Sequence, residues 1–234
     1  MAADALTLIA MAADLASIPS DGYAVLRGVF DPAPLAAEVD AALTRGFTHS
    51  GHRNTGDADN SFRYVPMMNE RTPVSLALLR RFEPLAARAL GGPVLPVRAK
   101  GTEYHSASSW HRDSDLPVAS AGFVCYLDRL TGDTGALRVA AGSHRHDDPP
   151  EGPGLPVETE PGDAIVFDEH LLHGSDGGGV RRQWRVDFVR APEGPDEEAA
   201  VRRYYGGIYS PDWDGGYDVE AFPTYGPHWR ATCD

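Results

Sequence analysis

Apolar positions follow two regimes along the chain, one spaced like helices and one broken into short runs. Residues 1–18, rich in Ala and Leu, predict a short helix that Ser20-Asp21-Gly22 stops. Tyr23 to Phe30 reads as a strand. Asp31-Pro32 opens a helix reaching Leu43, in which Leu35, Val39 and Leu43 at four-residue spacing give one buried face. Thr72-Pro73 starts a second helix, with Leu76, Leu79, Phe82 and Leu85 on one stripe and Gly91-Gly92 at its end. Between these helices, residues 48–63 are His, Ser, Gly, Asn and Asp with almost nothing to bury, which predicts a long polar loop.

After Gly92 the runs shorten and Gly, Pro and Asp separate them. Candidate strands are 94–99, 102–106, 120–127, 136–140, 155–158, 163–168 and 183–189, a spacing that predicts an antiparallel sandwich or barrel. From Ala191 onward the chain is rich in Pro, Gly, Tyr and Trp, a closing segment with Tyr204, Tyr205, Trp213 and Trp229 as aromatic anchors. At 234 residues the length fits one domain. Residues 1–92 would be its mostly helical N-terminal part, 93–191 its sheet core and 192–234 its closing segment.

Composition narrows the function. A formal net charge of -13 argues against a nucleic-acid surface, which needs a basic patch. The apolar runs are too short to span a bilayer, so no membrane role is expected. Cys125 and Cys233 are the only cysteines, and Cys125 sits in the apolar run Gly122 to Leu127, so no disulfide framework is expected. No basic residue precedes Arg27, which leaves the N-terminus without the charged start of a secretory signal; the expectation is a cytoplasmic protein.

The chemistry concentrates in Trp110-His111-Arg112-Asp113-Ser114-Asp115. A histidine and a carboxylate two residues apart on extended backbone point to the same side, which makes two thirds of a metal site. His173, far along the chain, would supply the third ligand if a sheet folds back on itself. Two imidazoles and one carboxylate on one face of a metal leave the other face open, the arrangement of non-haem Fe(II) oxygenases.

Five stretches then follow in a distinctive order: Trp110-His-Arg-Asp113, Asp133-Thr-Gly-Ala-Leu137, Ala141-Gly-Ser-His144, Pro161-Gly-Asp163 and His173-Gly-Ser175. Together they resemble the phytanoyl-CoA dioxygenase family of Fe(II)/2-oxoglutarate-dependent oxygenases, over roughly residues 95 to 190 with a weaker echo at 21–26. The resemblance implies a mainly β fold with flanking helices around a double-stranded β-helix, the cupin-like jelly roll. It implies iron held by His111, Asp113 and His173, with 2-oxoglutarate and O2 as cosubstrates. His173, which precedes Gly-Ser, is preferred over His170 as the last ligand, and His144 is expected to be structural.

The family also places an arginine about ten to twelve residues beyond the distal histidine, to hold the far carboxylate of 2-oxoglutarate. Arg181, Arg182 and Arg185 fall in that neighbourhood. Alternation sets Arg185, Asp187 and Val189 opposite Trp184, Val186 and Phe188, and Arg185 is the choice, with Arg182 its rival. Ser175 and Tyr126 are candidates to assist. Related halogenases carry a small residue in place of the iron carboxylate, so Asp113 favours oxidation without halide.

The activity implied is hydroxylation of a small metabolite, an amino acid or a natural-product intermediate, with release of succinate and CO2. Desaturation, cyclisation and epoxidation on the same scaffold stay open, as does a jelly roll that binds a metal or ligand without redox turnover; a zinc hydrolase on the same three ligands is the third option. Tyr104, His105, Trp110, Arg112 and residues 63–70 are candidates to shape the substrate pocket. The expected partner is a small-molecule substrate, with neither nucleic acid nor membrane, and no sequence feature sets an oligomeric state.

Overall fold

The alternating strand at residues 181–190 sets the layering: Trp184, Val186 and Phe188 turn toward two helices, and Arg181, Gln183, Arg185 and Asp187 turn the other way. The structure, a computed structural model, describes residues 15–44, 47–50, 61–68, 71–146 and 152–208. Its strands are β1 (Tyr23–Leu26), β2 (Phe47–Ser50), β3 (Ser61–Pro66), β4 (Val94–Tyr104), β5 (Ser108–His111), β6 (Ser120–Tyr126), β7 (Leu137–Val139), β8 (Leu155–Val157), β9 (Ala164–Asp168), β10 (His173–Ser175) and β11 (Arg181–Arg190). Among the described residues, one seven-stranded sheet runs β1-β9-β6-β11-β4-β3-β2 and a four-stranded sheet runs β5-β10-β7-β8, with every pairing antiparallel. Val124, Tyr126, Ile165 and Phe167 of the large sheet meet Leu137, Val139 and Val157 of the small one. This is the double-stranded β-helix, the jelly roll.

Helices α1 (Pro32–Leu43) and α2 (Pro73–Ala89) cover the outer face of the large sheet, and α3 (Pro195–Ile208) follows the last strand. Asp31 accepts from the Ala33 N–H at 3.1 Å to start α1 just before Pro32. The start of α2 is capped across space, since Glu38 of α1 accepts from the N–H groups of Val74 and Ser75 at 2.9 and 2.8 Å. Phe82 stacks on Phe123 with ring centres 5.0 Å apart, and the buried Trp184 indole donates to Ser75 Oγ at 2.6 Å. No helix of the described residues is long and apolar enough to cross a membrane.

Several expectations shift. A strand occupies 61–66 where a polar loop was expected, because Tyr64, Val65 and Pro66 bury against β4 and continue the sheet. The first 92 residues thus contribute β1, β2 and β3 besides helices. The runs 94–99 and 102–106 join into one strand through Gly101, whose missing side chain lets Met67 and Val39 pack close: a Cβ there would lie 2.8 Å from Met67 Sδ. Residues 18–21 form a single helical turn that Gly22 ends at φ 81°, whereas residues 1–14 fall outside the described residues. The closing segment begins as α3; Trp213, Trp229, Cys233 and the side chain of Tyr205 lie outside the described residues.

Candidate active site

His111 ends β5 and His173 begins β10, and the antiparallel register sets them directly opposite each other. Their rings lie 4.4 Å apart. Asp113 lies two residues past β5, where its own N–H and that of Ser114 both donate to the Glu169 carbonyl at 2.9 and 3.2 Å. The Tyr204 hydroxyl of α3 donates to the Asp113 carbonyl and pins the same peptide from the other side. These contacts turn the carboxylate toward the two imidazoles, at 3.5 Å from His111 Nε2 and 3.2 Å from His173 Nε2. Two ligands about 2.1 Å from one ion and at right angles lie about 3 Å apart, so the spacing suits adjacent positions around a single metal.

Each ring is oriented by its other nitrogen. His111 Nδ1 donates to the Ser109 carbonyl at 2.7 Å and His173 Nδ1 to the Leu171 carbonyl at 2.9 Å, two residues back in both cases. Nε2 of each ring is thereby left as an acceptor facing the cluster, the outer-sphere arrangement that metal-binding histidines need. Burial pushes the His173 imidazole down against the pull of Asp113, while at His111 the hydrogen bond and charge of Asp113 outweigh burial and raise it. At Asp113 burial opposes ionisation, yet the Arg185 guanidinium and the His173 contact hold the carboxyl well below its usual range. His111, Asp113 and His173 fit a divalent ion as a facial triad, with all ligand atoms within 4.8 Å of one another.

Behind the triad sits a buried ionic network. Arg185 donates from Nη1 to Asp113 Oδ2 at 2.6 Å, from Nη2 to Glu169 Oε1 at 2.7 Å and from Nε to Asp187 Oδ1 at 2.5 Å. Arg98 donates to the other oxygen of Asp187 and lies 3.7 Å from Glu169. The expected carboxylate-holding arginine is therefore engaged by three carboxylates of its own chain. Its rival Arg182 points away, donating to Asp40 and Asp128.

Arg181 differs. It is 2% exposed, and it donates to Ser175 Oγ and the Ser106 carbonyl, both at 2.5 Å. No carboxylate of the described residues lies within ion-pair distance of it. The reason is geometric: the short turn at 176–180 sets Ser175 at the end of β10 beside Arg181 at the start of β11, and Arg185 lies four residues further along, level with Asp113.

The cavity between the sheets takes in about 680 Å3 of space, its open mouth included. It is lined by the triad, by Ser175, Tyr126, Arg181 and Arg185, and by Lys100, Tyr104, Gln183 and Phe62. Burial raises the Tyr126 phenol and keeps it a neutral hydroxyl. Burial, together with Arg98 and Arg185 nearby, lowers the Lys100 ammonium to about 7.

Other candidates from the sequence sit apart from the metal cluster. His170 Nε2 donates to the Leu116 carbonyl and its Nδ1 lies against Asp168 Oδ1, at 2.9 Å each. His105 pairs with Glu103 at 3.0 Å, and Arg112 ties the Ser143, His146 and His170 carbonyls together. Trp110 packs where Gly154 leaves room, since a Cβ on that glycine would lie 2.4 Å from the indole. Sequence reasoning missed Glu169, Arg98, Asp187 and Lys100; the signal for the last three was charge on the inward faces of β4 and β11, whereas Glu169 lies just past β9.

A family model described as phytanoyl-CoA dioxygenase (PhyH) matches residues 18–182. Dioxygenase aneA of Aspergillus aculeatus is 34% identical over a stretch covering 33% of this chain and 31% of that protein, so the alignment spans about a third of the relative. Among solved structures, AviO1 from Streptomyces viridochromogenes Tue57 superposes with a TM-score of 0.64 at 24% identity, covering 79% of this chain and 98% of that one. The epimerase SnoN from nogalamycin biosynthesis, solved with Fe3+, alpha ketoglutarate and nogalamycin RO, gives 0.64 at 19%, covering 80% and 85%. HygX from Streptomyces hygroscopicus, with nickel, 2-oxoglutarate and hygromycin B bound, gives 0.58 at 17%, covering 76% and 87%. At these identities the three share the fold with this chain.

Proposed function

We propose, for a chain that belongs to the phytanoyl-CoA dioxygenase family, that it is an Fe(II)/2-oxoglutarate-dependent oxygenase acting on a small natural-product intermediate, with hydroxylation as the outcome. The observation that carries this reading is the pairing of two features in one cavity: the triad of His111, Asp113 and His173, and the uncompensated Arg181 beside Ser175. Bound at the triad, iron with 2-oxoglutarate and dioxygen supplies oxidation of a C–H bond, and 2-oxoglutarate leaves as succinate and CO2.

The chain's own residues divide the remaining work. His111, Asp113 and His173 hold the metal through one face and leave the other for exchangeable ligands. Arg181, rather than the Arg185 favoured from the sequence, holds the far carboxylate of 2-oxoglutarate, with the Ser175 hydroxyl as second donor and Tyr126 and Gln183 lining the same end. Phe167, Val124 and Leu137 wall the cavity with apolar surface and limit water at the reacting centre. Arg185 serves the metal carboxylate instead.

A second reading keeps the same site and changes the fate of the oxidised substrate carbon, giving epimerisation or ring closure; it is favoured by solved neighbours named as an epimerase and a carbocyclase. Product analysis separates the two. The test of the class itself is succinate formed from 2-oxoglutarate under air with added Fe(II), stimulated by a panel of glycosides and polyketides. Asp113→Ala and His173→Ala should abolish it. Turnover that persists without oxygen, or succinate formation unchanged in both variants, would overturn the oxygenase reading.

A further inference from the structure

Lys100 is the single lysine of the chain, and it lines the active-site cavity on the inner face of β4. Its ammonium lies 5.9 Å from the centre of the Tyr64 ring, and no carboxylate of the described residues reaches ion-pair distance. Next on the same strand face, Thr102 keeps a fully buried hydroxyl with no hydrogen-bond partner. Lys100, unlike Thr102, lines the cavity, so its amine is the donor of this strand face within reach of a ligand.

The charges around Lys100 say which ligand. Arg98 and Arg185 share Asp113, Glu169 and Asp187. In the reading proposed above, on which this inference rests, the two carboxylates of 2-oxoglutarate are answered by the metal and by Arg181. The strand register sets Arg181 opposite Tyr104 and Arg185 opposite Lys100, so Lys100 stands four residues, roughly 13 Å along the strand, from the level of Arg181. Lys100 enters no direct ion pair, and the charges of Asp187 and Asp113 act on it only from beyond ion-pair distance. We infer that Lys100 is the recognition site for an acidic group, a carboxylate or phosphate monoester, on the primary substrate. The low-lying ammonium fits this role, because an incoming anion restores the charged form that burial disfavours.

The test uses the full chain loaded with Zn(II) and 2-oxoglutarate, so that Arg181 is already occupied. Calorimetry compares phenylacetate and hexanoate with phenylacetamide and hexanamide, and adds methyl phosphate. The acids should bind the wild type at least tenfold more tightly than the amides. Lys100→Met should erase that preference, Lys100→Arg should keep most of it, and the affinity for 2-oxoglutarate should stay within about twofold in both. The inference is overturned if acids and amides bind alike, if Lys100→Met leaves their ratio unchanged, or if it weakens 2-oxoglutarate as severely as Arg181→Met does, which would give the amine to the cosubstrate. A wild type that takes up neither Zn(II) nor 2-oxoglutarate would sink the oxygenase reading alone, since the acid and amide comparison on metal-free protein still decides the role of Lys100.

Discussion

Arg185 donates from Nη1 to Asp113 Oδ2 at 2.6 Å, so the carboxylate of the metal cluster is held by an arginine that itself stands on Asp187 and Glu169. A planar fork reaching three carboxylates fixes the rotation of Asp113 and keeps it ionised. Lysine in that place keeps one charge and loses the fork. Arg185→Lys should therefore weaken divalent metal binding about 10- to 100-fold, read by Co(II) absorbance titration, the range typical of lost outer-sphere support. Arg185→Met should do worse and also unfold more easily, because Asp113 would lose its arginine and Glu169 and Asp187 would keep only Arg98, at a cost of about 3–5 kcal/mol.

The two arginines of β11 have separable signatures. Arg181→Met should raise the KM for 2-oxoglutarate about a hundredfold or more, as expected from about 3 kcal/mol for removing one partner of a buried, hydrogen-bonded charge pair, with metal affinity near wild type. Ser175→Ala should cost about tenfold in the same KM. Arg182→Ala should leave KM unchanged, since its partners Asp40 and Asp128 lie outside the cavity and are 51% and 37% exposed.

That division of labour was only partly readable in the chain. The triad residues stood out because His-x-Asp on extended backbone is a local pattern, and the alternation of Trp184, Val186 and Phe188 correctly separated the two faces of β11. Choosing among three arginines required more: the turn at 176–180 decides which one meets Ser175, and a count of residues from His173 does not carry that geometry. Strands β5 and β10, which carry both ligand histidines, are four and three residues long, too short for any periodicity. The strand at 61–66 was hidden for a different reason. It lies in a polar neighbourhood, and only pairing with β4 reveals it.

Asp163, in the turn Pro161-Gly162-Asp163, gives the clearest pH dependence away from the metal site. Its carboxylate accepts from Gly28 N at 2.9 Å, Glu160 N at 3.0 Å and Arg27 Nη1 at 2.6 Å. Burial opposes ionisation, but the two N–H groups and then Arg27 outweigh it and lower the carboxyl below its usual value. A depressed folded value means that the stabilisation is present above the unfolded value and is lost as pH falls through the folded one. Asp163→Asn should thus be less stable by about 1–3 kcal/mol at neutral pH, and urea melts of the two proteins should converge as the pH falls below about 4. A gap that widens in acid would contradict this account.

Gly174, between His173 and Ser175, tests how tightly the two ligand strands must approach. Its backbone is ordinary extended chain, so alanine brings no dihedral strain there; the difficulty is space. A Cβ would lie 2.9 Å from the Ser108 carbonyl oxygen and 3.3 Å from the Ser109 backbone, both in β5. Backbone cannot turn aside as a flexible side chain can. Gly174→Ala should push β5 away from β10, lengthen the separation of His111 from His173 and lower thermal stability by about 1–3 kcal/mol. Metal affinity should fall with it, while Gly92→Ala, where a Cβ meets nothing within 4 Å, should leave metal affinity unchanged. Co(II) titration of the two variants side by side reads the difference, and equal affinities would show that the strands can separate without opening the triad.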